Sequence, residues 1–199
     1  MKHNKTTLGL NLPTDPRWVN LAEMDLQEIL TDHAYCEQKA TTSCISLIQQ
    51  FPDRKKLVEE LTPVAAEEWS HFSLVLEELN KRGLELGKQR KDEYVNKLQA
   101  FQKKGGSNDQ RLLEKLLTFA LIEARSCERF RLLSLHISEV ELREFYRGFM
   151  VSEAGHYKLF LQLAKLYGDE EYVDQRWAEY LAYEAEMLKT LEVRGDRMH

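Results

Sequence analysis

The sequence predicts an all-α protein built around a four-helix bundle, and three observations support this fold class. Only nine Gly and four Pro occur in 199 residues, so long stretches run without a helix breaker. Apolar residues recur at helical spacing in four long segments, whereas no segment shows the alternation of a strand. One long connection divides the four segments into two pairs, which is the pattern of a bundle with a single crossover. We therefore expect one domain over residues 1–199.

The first pair of helices has clear boundaries. The first helix is predicted over about residues 18–50, after Asp15-Pro16 and before Pro52. The second is predicted over about residues 53–83, with an interruption near Pro63 and an end at Gly83. The sequence thus predicts a helical hairpin in its first 83 residues.

The crossover and the second pair follow. The crossover is predicted over residues 84–108, with a short helix at about 92–104 that ends before Gly105-Gly106. The third helix is predicted over about residues 109–136 and the fourth over about 138–167, where Ser138 and Glu141 fit a capping box. An additional C-terminal helix, about 170–193, is expected to pack outside the bundle or against a partner.

Composition and charge limit the classes of function. The start of the chain lacks the apolar run of an export signal, and no segment has the roughly 20 apolar residues needed to cross a bilayer. Three cysteines form no Cys-x-x-Cys pair, so we expect reduced thiols and a cytoplasmic protein without a membrane partner. The net charge is −5, yet residues 81–131 carry 13 Lys and Arg against 7 Asp and Glu. A local anionic partner is therefore compatible with an acidic protein.

Two Glu-x-x-His motifs indicate a metal site. They are Glu68–His71 and Glu153–His156, and residues three apart lie on one side of a helix. Each motif lies on an otherwise apolar face, where an uncompensated carboxylate costs several kcal/mol or becomes protonated. A bound cation would compensate these charges.

Two further glutamates complete the pattern. Glu37 and Glu123 lie on equally apolar stripes, 31 and 30 residues before Glu68 and Glu153. Each predicted hairpin therefore supplies one Glu and then one Glu-x-x-His. This repeated order matches the ferritin-like proteins that bind two metal ions through four carboxylates and two imidazoles, a ligand set that suits iron or manganese. The alternative is that these six residues pair among themselves, or with Arg125 and Arg147. His33 is predicted to be a core or supporting residue rather than a ligand.

Five segments resemble the bacterial tRNA 2-methylthio-N6-isopentenyladenosine hydroxylases. The resemblance extends from about residue 12 to the C-terminal helix, and its most specific parts are the arginine-rich run and the Arg-Lys-Asp-Glu-Tyr segment. The segments are Asp32-His-Ala-Tyr-Cys-Glu-Gln-Lys-Ala40, Glu67-Glu-Trp-Ser-His-Phe72, Arg90-Lys-Asp-Glu-Tyr-Val95, Leu121-Ile-Glu-Ala-Arg-Ser-Cys-Glu-Arg-Phe-Arg131 and Ser152-Glu-Ala-Gly-His-Tyr157.

The resemblance implies a reaction, a cofactor and partners. The reaction is O2-dependent hydroxylation of the isopentenyl group on a modified adenosine beside the tRNA anticodon, with electrons from a donor protein or reductase. The cofactor is a pair of iron ions, and no expected ligand is missing. The implied iron ligands are Glu37, Glu68, His71, Glu123, Glu153 and His156. Basic residues expected to contact the tRNA anticodon stem-loop are Arg90, Lys91, Lys103, Lys104, Arg125 and Arg129.

Two other functions compete with this one. A ferritin- or rubrerythrin-like protein would handle iron or peroxide with the same ligands and without RNA. A helical interaction domain would bind no metal. Iron content separates the interaction domain from the other two, and RNA binding separates the hydroxylase from the iron- or peroxide-handling protein.

Overall fold

The computed structural model describes residues 7–199, and within this range the secondary structure is helical. Residues 1–6, which include part of the segment predicted not to be an export signal, lie outside the described range. After a short 3-10 turn at Thr7–Gly9, seven α-helices follow. Their bounds are α1 Arg17–Glu23, α2 Leu26–Gln50, α3 Lys55–Lys81, α4 Glu93–Phe101, α5 Asn108–His136, α6 Val140–Tyr167 and α7 Glu170–Leu188. Among residues 7–199, none of these helices is long and apolar enough to cross a bilayer.

The chain forms two compact units. Among the described residues, the 20–91 unit comprises residues 20–91 and 194–198, and the 92–193 unit comprises residues 7–19, 92–193 and 199. In the 20–91 unit, α2 packs along α3. In the 92–193 unit, α5 packs along α6, and α4 and α7 pack against α5.

Two helix boundaries in the 20–91 unit differ from the sequence-based expectation. The predicted first helix is broken between α1 and α2, because the Asp25 side chain accepts a hydrogen bond from the backbone N–H of Glu28 and caps α2. Pro63 does not interrupt the second helix, since α3 continues through it. Packing of the α3 core face against α2 outweighs the single backbone hydrogen bond that a proline removes.

Boundaries in the 92–193 unit also differ in detail. Gly105 and Gly106 have φ values of +84° and +76°, which allow the chain to turn sharply before Ser107. Ser107 and Gln110 then form a capping box that opens α5. The capping box expected at Ser138 is absent from α6, which begins at Val140 with Glu139 as its N-cap and no side-chain cap bond.

The segment 194–198 returns to α2 in the 20–91 unit. The backbone N–H of Met198 donates to Asp32 Oδ2 at 2.8 Å, and Arg197 lies 3.6 Å from the same carboxylate. Arg90 donates to Asp196 Oδ2 at 2.8 Å and also pairs with Glu28. The end of this segment is therefore held by buried and half-buried ionic contacts rather than by a helix.

Candidate metal centre

The 20–91 unit brings together one glutamate from α2 and a Glu-x-x-His pair from α3. Glu37, Glu68 and His71 are all buried. His71 Nδ1 lies 3.4 Å from Glu37 Oε2 and 3.4 Å from Glu68 Oε2. One potential ligand atom from each residue lies within 4.8 Å of the others. This half of the predicted ligand set is therefore assembled within one helical hairpin.

The charges of this triad depend on one another. Burial raises the pKa of Glu37 well above its ordinary value, and repulsion from the Glu68 carboxylate raises it further. Burial lowers the pKa of His71, but hydrogen bonds to Glu37 and Glu68 outweigh burial and raise it to about 9. A proton on His71 therefore partly neutralises the charge of this triad. A bound divalent metal ion would neutralise the same charge more completely.

We expect the metal-free protein to lose stability as the pH rises from 6.5 to about 9. His71 has an ordinary pKa of 6.5 and a folded-state pKa of about 9, so the folded chain holds this proton more tightly. The stabilisation is complete below pH 6.5 and is lost as the pH rises through 9. Thermal unfolding should be measured across this pH range in the presence of a chelator. The Tm of the wild-type protein should fall as the pH rises, and the Tm of His71→Gln should fall less. The same pH dependence in both proteins would contradict this assignment.

The 92–193 unit contains a second triad with the same composition. Glu123 lies on α5, whereas Glu153 and His156 lie on α6, and all three are buried. His156 Nδ1 is 3.7 Å from Glu153 Oε2, and one potential ligand atom from each of the three lies within 4.8 Å of the others. The Glu-x-x-His spacing again places the carboxylate and the imidazole on one face of a helix.

Cys127, one turn after Glu123, does not belong to the group of potential ligand atoms around Glu123. Its Sγ donates to the backbone carbonyl of Met150 at 3.3 Å. Burial raises the pKa of the Cys127 thiol to about 12, and the negative charges of Glu153 and Glu123 add to this effect. The donors of each unit are thus two carboxylates and one imidazole, which fit a divalent iron or manganese ion.

The sequence also suggested Arg125 and Arg147 as charge partners of the six predicted ligands, but the structure places these arginines elsewhere. Arg125 donates to both oxygens of Glu184 at 2.7 and 2.9 Å, and it also pairs with Glu128. Arg147 has an exposed side chain. Neither contact of Arg125 involves a predicted ligand, so the arginine of the Glu123 segment neutralises other carboxylates.

The six basic residues predicted to contact tRNA fall into three groups. Lys91, Lys103 and Lys104 are exposed. Arg90 is half-buried in its contacts with Asp196 and Glu28, as described above. The remaining two are inside the 92–193 unit, with exposed fractions of 0% for Arg125 and 8% for Arg129.

Burial makes the two interior arginines unsuitable for direct contact with an RNA phosphate. The Arg129 guanidinium lies over the Trp18 ring at 4.8 Å, and burial together with repulsion from Arg125 lowers its pKa to about 10. Arg125 is fully engaged by its carboxylate partners. The prediction of direct tRNA contact is therefore not retained for these two residues, both of which are buried on α5.

Comparison with known proteins identifies the family. The family model described as tRNA-(MS[2]IO[6]A)-hydroxylase (MiaE) matches residues 3–199. The chain belongs to this tRNA hydroxylase family. The resemblance that the sequence indicated is thereby confirmed.

Two relatives in the family have the same name. The tRNA 2-(methylsulfanyl)-N(6)-isopentenyladenosine(37) hydroxylase of Pseudomonas putida is 37% identical over 81% of this chain and 77% of its own length. The protein of that name from Salmonella typhimurium is 26% identical, with the same coverage of both chains. Both relatives thus match most of the tRNA hydroxylase family chain described here.

A solved structure supports the fold class. Protein 43 with aldehyde deformylating oxygenase activity from Synechococcus matches with a TM-score of 0.89 and 34% identity. The match covers 96% of this chain and 94% of the other. The all-α, ferritin-like fold class predicted from the sequence is confirmed.

Proposed function

We propose that this chain is a tRNA-modifying monooxygenase that hydroxylates the isopentenyl group of (2-methylthio-)N6-isopentenyladenosine next to the anticodon. The observation that carries this proposal is the family match over residues 3–199, joined by the 37% identical relative whose name states this substrate. The reaction uses O2 and electrons from a separate donor protein or reductase. The cytoplasm, where tRNA is modified, is the proposed location.

Two iron ions are the proposed cofactor, held by the two buried triads. The 20–91 unit would provide Glu37, Glu68 and His71, and the 92–193 unit would provide Glu123, Glu153 and His156. The likeness to a chain with oxygenase activity, at 34% identity, supports O2 chemistry on this fold. When bound, the iron pair supplies the redox chemistry that activates O2 for insertion of one oxygen atom into a C–H bond.

The protein's own contribution is a dry, apolar setting for that chemistry. Each triad is flanked on its helix by buried aromatic rings, such as Phe72 beside His71 and Phe149 one turn before Glu153. Such rings would help to keep water from bound metal ions and would suit the apolar isopentenyl group of the substrate. Binding the group in a fixed orientation near the ligands would select which methyl group reacts.

Exposed lysines of the 81–131 segment are the proposed phosphate contacts. Lys103 and Lys104 follow α4 and precede the Gly105-Gly106 turn. Lys103 is held by its backbone N–H, which donates to Glu114 at 3.0 Å, while its ammonium group stays about half exposed. Such contacts position an RNA without distinguishing its sequence.

Replacing both Lys103 and Lys104 with Ala should weaken tRNA binding and flatten its salt dependence. Each lost phosphate contact removes a released counterion, so the slope of log affinity against log salt should fall by about 1 per lysine. Filter binding or fluorescence anisotropy at several salt concentrations measures this slope. The control is Lys165→Ala with Lys189→Ala, which removes the same charge outside the segment. Equal losses in both double variants would contradict a local contact.

The decisive experiment is nucleoside mass spectrometry of tRNA from cells with and without this gene. Loss of the hydroxylated nucleoside, with accumulation of its isopentenyl precursor, is expected. The purified, iron-loaded chain should then convert precursor-containing tRNA when given O2 and a reductant. An unchanged nucleoside profile in cells that make the precursor would overturn the proposal and favour an iron- or peroxide-handling protein.

A further inference from the structure

The indole of Trp69 lies next to the ligand triad of the 20–91 unit and reaches solvent. Trp69 directly follows Glu68 on α3 and precedes His71 by two positions. Glu68 and His71 are buried, whereas Trp69 is 50% exposed. Each residue of a helix is turned by about 100° from the one before it, so Trp69 lies on the flank of the face that carries Glu68. The fold therefore leaves a large aromatic side chain half in water beside the candidate metal centre.

A second aromatic ring holds the exposed indole in place. Trp69 stacks on Phe72 with a centroid distance of 4.9 Å and an interplanar angle of 24°. Phe72 follows His71 in the chain and is only 8% exposed. The buried ring thus orients the exposed one, and an indole that is already oriented loses little conformational entropy when a further flat group stacks on it.

The second Glu-x-x-His motif shows that this indole is not needed to build the motif. The residue after Glu153 is Ala154, and α6 places Glu153 and His156 on one face with this small side chain between them. The two motifs therefore have the same ligand types but differ in the residue beside the first glutamate. The indole at position 69 calls for a different explanation.

The charge beside Trp69 favours a neutral aromatic partner over a phosphate. Glu67, two positions before Trp69, has a side chain that is 48% exposed. A carboxylate at this surface repels a phosphate, whereas a nucleobase is uncharged and has a π-face that stacks on an indole. RNA loops are recognised through unpaired bases that stack on aromatic side chains, and the chain belongs to a tRNA hydroxylase family.

We propose that Trp69 stacks against an unpaired nucleobase of the anticodon loop and so orients the substrate beside the ligands of α3. This inference rests on the proposed function and adds a substrate contact to it. A base stacked on Trp69 lies next to the helical turn that carries Glu68 and His71, where the isopentenyl group has to be placed. The exposed lysines contact phosphates and Trp69 contacts a base, so the two kinds of contact differ in their salt dependence.

A matched pair of variants, Trp69→Ala and Trp69→Phe, tests this proposal. The probe is a labelled RNA anticodon stem-loop that contains N6-isopentenyladenosine, and its binding is measured by fluorescence anisotropy. Trp69→Ala should bind it about 5- to 150-fold more weakly, which is the usual effect of losing one base–aromatic stack, whereas Trp69→Phe should keep most of the affinity. The slope of log affinity against log salt should stay unchanged in both variants, because no phosphate contact is removed.

Leu74→Ala is the control, because Leu74 is another apolar residue of α3 and is 46% exposed. Its affinity for the stem-loop should match that of the wild-type protein. Wild-type affinity in Trp69→Ala, equal losses in Trp69→Ala and Trp69→Phe, or a flatter salt slope in Trp69→Ala would each overturn the stacking role. Normal RNA binding by Trp69→Ala, with turnover impaired only when a protein supplies the electrons, would overturn it in favour of a docking site for that protein.

A second measurement is made on the wild-type protein and is independent of how Trp69→Ala folds. Adding the stem-loop should quench tryptophan fluorescence and shield it from acrylamide. Trp69→Phe should lose most of this change, since Trp18 is completely buried and Trp177 is half-buried. The same change in Trp69→Phe, or no shielding in a wild-type protein that binds the stem-loop, would overturn the proposal. A wild-type protein that neither binds the stem-loop nor hydroxylates it would overturn the proposed function as well.

Discussion

Replacing Glu153 with Ala is expected to abolish binding of the proposed iron pair and to lower tRNA hydroxylation by at least about a thousandfold. A catalytic metal contributes several kcal/mol to the reaction, and each 1.4 kcal/mol corresponds to a factor of ten in rate. Glu153 is 2% exposed and lies on the same helical face as His156. Because the site is shielded from bulk solvent, water is not expected to take over the role of the missing carboxylate as a ligand. Iron per chain and the rate of nucleoside formation are the two measurements.

Glu144→Ala is the control for this variant, because Glu144 is an exposed glutamate on the same helix. Its iron content and activity should match the wild-type protein. Full iron content and activity in Glu153→Ala would refute the assignment of Glu153 as a ligand. A variant that keeps iron but loses activity would instead indicate a role in the reaction without metal binding.

Replacing Arg125 with Met is expected to lower the free energy of unfolding by about 3–5 kcal/mol. The guanidinium is fully buried and donates to Glu184 at 2.7 and 2.9 Å, to Thr14 Oγ1 at 3.0 Å and to the Leu12 carbonyl at 2.9 Å. Its removal leaves the buried Glu184 carboxylate, on α7, without its principal counter-charge. Urea unfolding monitored by circular dichroism measures the loss.

Two controls test the origin of this loss. Arg131→Met removes an exposed arginine from the same helix and should change the stability by less than about 1 kcal/mol. The double variant Arg125→Met with Glu184→Leu should recover part of the stability, because the buried Glu184 carboxylate is then removed together with its counter-charge. A small effect of Arg125→Met alone, comparable to that of Arg131→Met, would contradict the importance of this contact.

The clustering of each Glu with its Glu-x-x-His pair was predictable because its signal is local, and the role of these residues as metal ligands stays a prediction. Each Glu-x-x-His pair spans one turn of a helix, and an ionisable residue on an apolar stripe is conspicuous in the sequence itself. The helix break before α2 also had a local signal, since Asp25 and Glu28 have the spacing of a capping box. It was missed because the apolar pattern continues on both sides of it.

Other features depend on contacts between residues distant in the chain and have no local signal. Arg90 binds Asp196, 106 positions later in the chain, and Arg125 binds Glu184, 59 positions later. A basic residue looks the same in the sequence whether it faces solvent or a buried carboxylate. For this reason the sequence alone assigned Arg125 to an RNA surface, whereas the fold uses it inside the 92–193 unit.

The contact between residues 194–198 and α2 affects the order in which the chain can fold during its synthesis. Contacts between α2 and α3 join residues that leave the ribosome close together, so the hairpin can form early. Asp32 and Arg90, by contrast, must wait for Met198 and Asp196, which are translated more than a hundred residues later. The 20–91 unit can therefore begin to fold early in translation, but it is completed only after residues 194–198 have been made.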